Sequence, residues 1–106
     1  MVLSSIDGLA SKYETSNEKV NKLWHNIVWS TYANFFSIPT DCPQRNERLG
    51  WAGDISVFSR TATYLADVPQ FLRRYLCAMR DVQREDGRFP DVAPLGGGFG
   101  GLLWGS

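Results

Sequence analysis

The sequence predicts an all-α chain with long loops. Three stretches carry apolar residues at the three- and four-residue spacing of an amphipathic helix. Each is bounded by capping or helix-breaking residues. No stretch alternates with the two-residue period of a half-buried strand. A length of 106 residues allows one small domain, and 43% hydrophobic with 13% aromatic residues supplies enough apolar surface for a core.

Residues 1–14 have no clear period and read as an extended lead-in. The first helix is expected over residues 16–36. Val20, Leu23, Trp24, Ile27, Val28, Tyr32 and Phe35 form one broad stripe there. Thr15, Ser16 or Asn17 can cap its start, and Glu18 complements the positive end of the helix dipole. Pro39 ends it, because the residue before a proline is pushed out of helical geometry. A loop over 37–53 follows. The second helix is expected over 54–66, with Asp54 as its N-cap and Ile55, Phe58, Ala62 and Leu65 as its stripe. The third is expected over 68–85, capped by Asp67, with Pro69 in the first turn, where a missing N–H costs nothing. Phe71, Leu72, Tyr75, Leu76, Met79 and Val82 share its apolar face. Arg73, Arg74, Arg80 and Arg84 fall off that face and are expected in solvent. Asp86-Gly87 closes the helix, and a glycine-rich loop is expected over 87–101. The last residues, LLWGS, present large apolar side chains without a cap or polar tail, which reads as a sequence cut within something larger.

Several function classes lose support at once. The formal net charge is zero, so nothing suggests a general attraction to nucleic acid or to an anionic membrane. No apolar run approaches the roughly 20 residues of a membrane-spanning helix. The N-terminus lacks the basic-then-apolar pattern of a secretory signal. Cys42 and Cys77 lie far apart, and His25 is close to neither, so a zinc site is not expected and the thiols read as isolated. A Ser-His-Asp triad would need His25, which falls in mid-helix and reads instead as a helix-surface or core residue.

The chemistry gathers in DCPQRNERLGWAGD, residues 41–54. Asp41, Glu47 and Asp54 lie on a segment stiffened by Pro43 and bent at Gly50 and Gly53, with Arg45 and Arg48 among them. Carboxylates near arginines can be held in different protonation states. Glycosidic bond cleavage needs that: an acid for the leaving oxygen and fixed negative charge near the developing oxocarbenium ion. Trp51 offers a flat apolar face for a sugar ring. The same residues also read as a solvated salt-bridge loop with a helix cap at its end, and spacing alone does not separate the two.

The run PTDCPQRNERLGWAGD closely resembles the hallmark segment of the bacterial-type α-L-rhamnosidases, inverting six-hairpin glycoside hydrolases with an (α/α)6 barrel. ANFFSIPTDCPQR before it and VFSRTATYLADVPQFLRRYLCAMRDVQREDGRFPDVAP after it extend the resemblance, which covers residues 15–106. It implies a partial (α/α)6 barrel, comprising the first three or so helices and their active-site loops. By position, Glu47 matches the general acid. Asp41 and Asp54 match aspartates that hydrogen-bond rhamnose hydroxyls. Arg45 matches an arginine at the subsite for the cleaved sugar, and Trp51 matches that subsite's aromatic wall, with Trp104 as a candidate for another. The implied substrates are L-rhamnose-containing glycosides, cleaved with inversion and without a metal or organic cofactor.

Two departures stand out. Asn46 replaces the family's usual aspartate and removes a charge beside Glu47, which could shift that acid's pKa modestly. The general base, a second glutamate that an inverting mechanism holds roughly 6.5–9.5 Å from the acid, has no counterpart in this sequence. The chain alone is therefore expected to be inactive, to expose apolar surface, and to need the rest of the parent barrel as its partner. A stand-alone helical carbohydrate-binding or interaction module, or another (α/α)6 glycosidase, are the alternative readings. A reading frame continuing into more helical hairpins with another loop glutamate separates the first reading from the module.

Overall fold

Three helices and one minimal strand pair make up the computed structural model, which describes residues 3–96 and 101. Helix α1 spans Glu18–Asn34, α2 spans Ala52–Leu65 and α3 spans Pro69–Asp81. Between α1 and α2, strands β1 (Phe35–Phe36) and β2 (Ile38–Pro39) pair antiparallel, with Phe35 opposite Pro39. The all-α class holds. The strand pair is a tight reversal at the end of α1 and adds no layer.

Of the three candidate caps for α1, Asn17 is the one used. Its side chain accepts from the N–H groups of Lys19 and Val20, satisfying donors that the first turn leaves free. The helix stops two residues short of the expected end. Ser37 turns the chain back with φ 65°, in the left-handed region, so Phe35 and Phe36 leave the helix in extended geometry. That turn is held from outside. Arg74 donates through Nε to the Ser37 carbonyl at 3.1 Å and through Nη2 to its hydroxyl at 2.9 Å. Thr40 then closes the end of α1 by donating its N–H, at 2.8 Å, and its hydroxyl, at 3.0 Å, to the Asn34 carbonyl.

Two expected caps are not caps. Helix α2 begins at Ala52, so Asp54 lies inside the first turn and Trp51 is the N-cap residue, without a side-chain cap. The reason is long-range: the Ala52 N–H is taken by the Asp91 carbonyl at 2.8 Å, which fixes the start two residues early. Likewise Val68, not Asp67, is the N-cap residue of α3, and Pro69 stands at its first position. Helix α3 also ends at Asp81 rather than near residue 85. Beyond it the chain forms its own turn. The Gln83 side chain donates to the Gly87 carbonyl at 2.7 Å, and Asp86 accepts from Arg88 at 2.7 Å, local bonds that compete with helix continuation. Gly87 sits at φ 85°, where a side chain would be strained.

The core lies where the three helices meet. Phe35 stacks on Phe71 at 4.5 Å and meets Phe58 edge-on at 6.2 Å. Ile55, Ala62 and Leu65 of α2 and Tyr75 and Met79 of α3 complete it, as their stripes required. The lead-in is stitched on rather than loose. Ile6 is buried, the Ser5 N–H donates to the Phe35 carbonyl at 2.8 Å, and the Ala10 N–H donates to the Leu65 carbonyl at 2.9 Å. Arg73, Arg74, Arg80 and Arg84 are all exposed.

The start of the α1 stripe, Val20 and Leu23, is exposed, while Trp24, Ile27 and Tyr32 pack against the core only in part. Leu23 is 58% exposed and Val28 is the only buried apolar residue of α1. The described residues have a radius of gyration of 15.0 Å and extents of 52 × 25 × 23 Å. A compact chain of this length would have a radius near ~13 Å. Val57, Tyr64 and Leu76 are likewise exposed on α2 and α3.

Truncating the centre of the core should matter far more than altering these outer faces. Phe71→Ala is expected to cost about 3–5 kcal/mol, enough to unfold a marginal domain. Val57→Ser, at a position 84% exposed, should stay within about 0.5 kcal/mol in this chain. Urea denaturation followed by circular dichroism checks both. A large loss at Val57 would mean that its face is covered.

Candidate active site

The loop between β2 and α2 is fixed at both ends and folded over on itself. At its start, Thr40 bridges to Gly50; at its end, Trp51 bridges to Val92 in the segment after α3. Arg48 takes φ 53°, an unusual conformation for a residue with a side chain, and reverses the chain between Glu47 and Gly50. Gly50 is required at its position: a Cβ there would run into the Ala93 carbonyl and meet Tyr75 Cε2 at 3.0 Å. The Gly50 carbonyl accepts from the Tyr75 hydroxyl at 2.8 Å and from the Ala93 N–H at 3.0 Å.

This fold-over brings Glu47 against its neighbours. The Trp51 indole N–H donates to Glu47 Oε1 at 2.8 Å, and Arg45 forms an ion pair with Glu47 Oε2. The carboxylate is thus engaged at both oxygens. Its side chain is only 17% exposed, against 62% for Arg45, so the acid is sheltered while its cation stands in solvent. Asp41 lies close by. The Cys42 thiol donates to Asp41 Oδ2 at 3.0 Å, and that hydrogen bond is the main cause pushing the thiol pKa up, followed by burial.

Asp41 and Asp54 meet at a different place. Both line a cavity of about 430 Å³ between α1 and α2, walled by Ile27, Phe35, Ile55 and Phe58. That volume lies within the range of about 300–1,000 Å³ usual for small-molecule sites. Glu47, Arg45 and Trp51 do not line this cavity; they stand on the loop beyond Asp41. Five of the six sequence-selected residues therefore occupy one end of the molecule, with Asp41 belonging to both groups. Trp104, the sixth, lies outside the described residues.

Asp41, Cys42 and Glu47 each offer a donor atom within 4.8 Å of the others. The Glu47 oxygens are already engaged by Trp51 and Arg45, and Asp41 by the thiol, so these groups satisfy one another within the protein. His25 sits on the exposed surface of α1 against the edge of Trp24, with ring centroids 5.2 Å apart. Cys42 and Cys77 are both free thiols.

The sequence reading missed two contributors. Cys42 is a free thiol, as expected, but its hydrogen bond to the adjacent Asp41 is not part of that expectation. Tyr75 was taken only as core, yet its hydroxyl reaches the loop 25 residues away. A buried tyrosine needs a partner for its hydroxyl, which is the signal that could have found it.

The family model described as the bacterial alpha-L-rhamnosidase 6 hairpin glycosidase domain matches residues 9–106. The chain belongs to that family. Among curated relatives of this rhamnosidase family, the alpha-L-rhamnosidase of Streptomyces avermitilis is 49% identical over 89 residues, 84% of this chain and 9% of the relative. The alpha-L-rhamnosidase of Alteromonas sp. (strain LOR) is 48% identical over 92 residues, 87% of this chain and 10% of the relative. The crystal structure of the Streptomyces avermitilis alpha-L-rhamnosidase complexed with L-rhamnose superposes with a TM-score of 0.85 at 47% identity, over 88% of this chain and 9% of that one. The alpha-L-rhamnosidase from Dictyoglumus thermophilum gives 0.76 at 45% identity, over 81% and 10%. The chain thus spans about a tenth of the length of these glycoside hydrolases. Its all-α architecture is that of a partial (α/α)6 barrel.

The Tyr75 phenol is pushed up to about 12, first by burial and then by the charge of Asp54. Its ordinary value is 10.0, so the unfolded chain releases this proton at lower pH than the folded one. The associated stability is fully present below pH 10 and is lost as pH rises from 10 toward 12. Melting temperature should fall across that window, and Tyr75→Phe should remove part of the fall. An identical alkaline profile in the variant would contradict the assignment.

Proposed function

We propose that this chain acts within a longer α-L-rhamnosidase, which hydrolyses terminal L-rhamnose from glycosides by single displacement. Glu47 is the general acid. It protonates the glycosidic oxygen as the sugar leaves, while Asp41 and Asp54 accept hydrogen bonds from ring hydroxyls. Arg45 and Trp51 border the cleaved sugar. A carboxylate outside this chain serves as general base, activating a water on the opposite face of the sugar. The domain organisation is the one read from sequence, residues 1–106 forming an N-terminal part of the barrel, with Trp104 as a further candidate wall.

The single observation that supports this reading best is the sheltered setting of Glu47, between the Trp51 indole and the exposed Arg45. Both partners are donors, so Glu47 must release one oxygen and take up a proton there from solvent before it can hand that proton to the glycosidic oxygen. Arg45 is the exposed partner and can move to a sugar hydroxyl when substrate arrives. The indole is the fixed partner and keeps the carboxyl aimed. The membership of a family whose matched relatives are named alpha-L-rhamnosidases supplies the substrate class. Asn46 keeps the size of an aspartate, and the acid's neighbours Arg45 and Trp51 are both present, so activity is expected.

Glu47→Gln in the full-length protein should lower kcat on rhamnosides with poor leaving groups by about 10²–10⁴-fold. Binding of free L-rhamnose, read by calorimetry, should be nearly unchanged. Wild-type turnover by the variant would remove Glu47 from its role. Absence of rhamnoside hydrolysis by the unaltered protein, with retained sugar binding, would favour a binding module instead.

A further inference from the structure

We propose that Tyr75 is a positioning residue for the acid Glu47, acting through the Gly50 carbonyl and the Trp51 indole. This rests on the assignment of Glu47 as general acid and adds a residue from a different element to its machinery. The path is short and each link is a contact. Tyr75 lies in the middle of α3 with its ring buried in the core at 3% exposure, so its hydroxyl moves only if the helix moves. That hydroxyl donates to the Gly50 carbonyl at 2.8 Å. Trp51 follows Gly50, and its other side is fixed by the Ala52 N–H to Asp91 carbonyl bond at 2.8 Å. The indole backbone is therefore clamped on both sides, and the ring it carries holds Glu47 Oε1 at 2.8 Å.

The Gly50 site is built for this approach. Gly50 packs so closely on Tyr75 and on the Ala93 carbonyl that no side chain fits. Its carbonyl has two lone pairs, and the phenol and the Ala93 N–H take one each. Ala93, itself fully buried, holds the carbonyl from the segment after α3, and the phenol holds it from the helix. The raised pKa keeps the phenol protonated, and so a donor, throughout the range in which a carboxylic acid catalyses. Removing the hydroxyl leaves Gly50 with its loop donor alone. The loop then loses its rigid reference, and a small displacement of a catalytic group is enough to slow reaction by up to about 10²-fold.

The test compares leaving groups in the full-length protein. Tyr75→Phe keeps the buried ring and removes only the hydroxyl. It should lower kcat at least about tenfold on an alkyl or disaccharide rhamnoside, which needs the acid, and change a dinitrophenyl rhamnoside less than about twofold. Near-UV circular dichroism should stay native. Trp51→Phe removes the donor to Glu47 and part of the sugar-binding wall, so it should slow both substrates, the alkyl or disaccharide rhamnoside at least about tenfold more than the dinitrophenyl one; adding Tyr75→Phe should leave that ratio nearly unchanged, because both act on one path. Equal losses on both substrates, no loss on either, or fully additive losses would overturn the proposal. If Tyr75→Phe does not fold, the ratio of losses on the two substrates in Trp51→Phe decides, a ratio near one counting against the path. Glu47→Gln is run beside them. If that variant shows no dependence on the leaving group, the acid assignment fails, and this inference with it. If it does and Tyr75→Phe does not, only the positioning role fails.

Discussion

The crossing at Gly50 is the constraint on which the rest of the site depends. Three parts of the chain meet there: the loop after β2, helix α3 through Tyr75, and the segment after α3 through Ala93. Because Gly50 has no side chain, the backbones can approach closely enough for one carbonyl to take two donors. The crossing fixes the backbone just before Trp51, whose indole shelters Glu47, while the neighbouring Ala52–Asp91 bond fixes the start of α2 just after it. An irregular loop gains in this way a geometry as fixed as that of the helices which carry it.

The loop's electrostatics make sense on that rigid base. Three carboxylates and two arginines within fourteen residues (Asp41 to Asp54) would repel or pair at random in a mobile segment. Here they are sorted. Glu47 is held by one part-buried and one exposed partner, Asp41 by a neighbouring thiol, and Asp54 stands in the first turn of α2, where the helix dipole favours a negative charge. Arg45 is exposed and can exchange partners at low cost, since exposed ion pairs contribute little.

The fold was legible where local physics decides it. The helical periods, the cap at Asn17 and proline at the start of α3 all follow from rules that act within a turn or two. What was not legible came from distant contacts. Asp54 has the right chemistry for an N-cap, but a backbone bond from Asp91, far along the chain, starts the helix at Ala52. Leu23 belongs to a good apolar stripe yet stays exposed, because a stripe says only that a partner is wanted, not that one is present. In the site, residue types in one loop identified the candidate acid and its neighbours. The hydrogen bonds of Tyr75 and Cys42 were hidden, since each depends on the direction of a single hydroxyl or thiol.

A crystal structure of the full-length protein with an uncleaved rhamnoside analogue tests the central claim most directly, namely that this loop presents Glu47 to a glycosidic bond. The account predicts a Glu47 oxygen about 2.6–3.2 Å from the bridging atom, the Trp51 indole still on the other oxygen, Arg45 withdrawn toward the sugar, and Asp41 and Asp54 on its hydroxyls. A sugar bound with Glu47 facing away from that atom, or with Arg45 unmoved and Glu47 still enclosed, would contradict it.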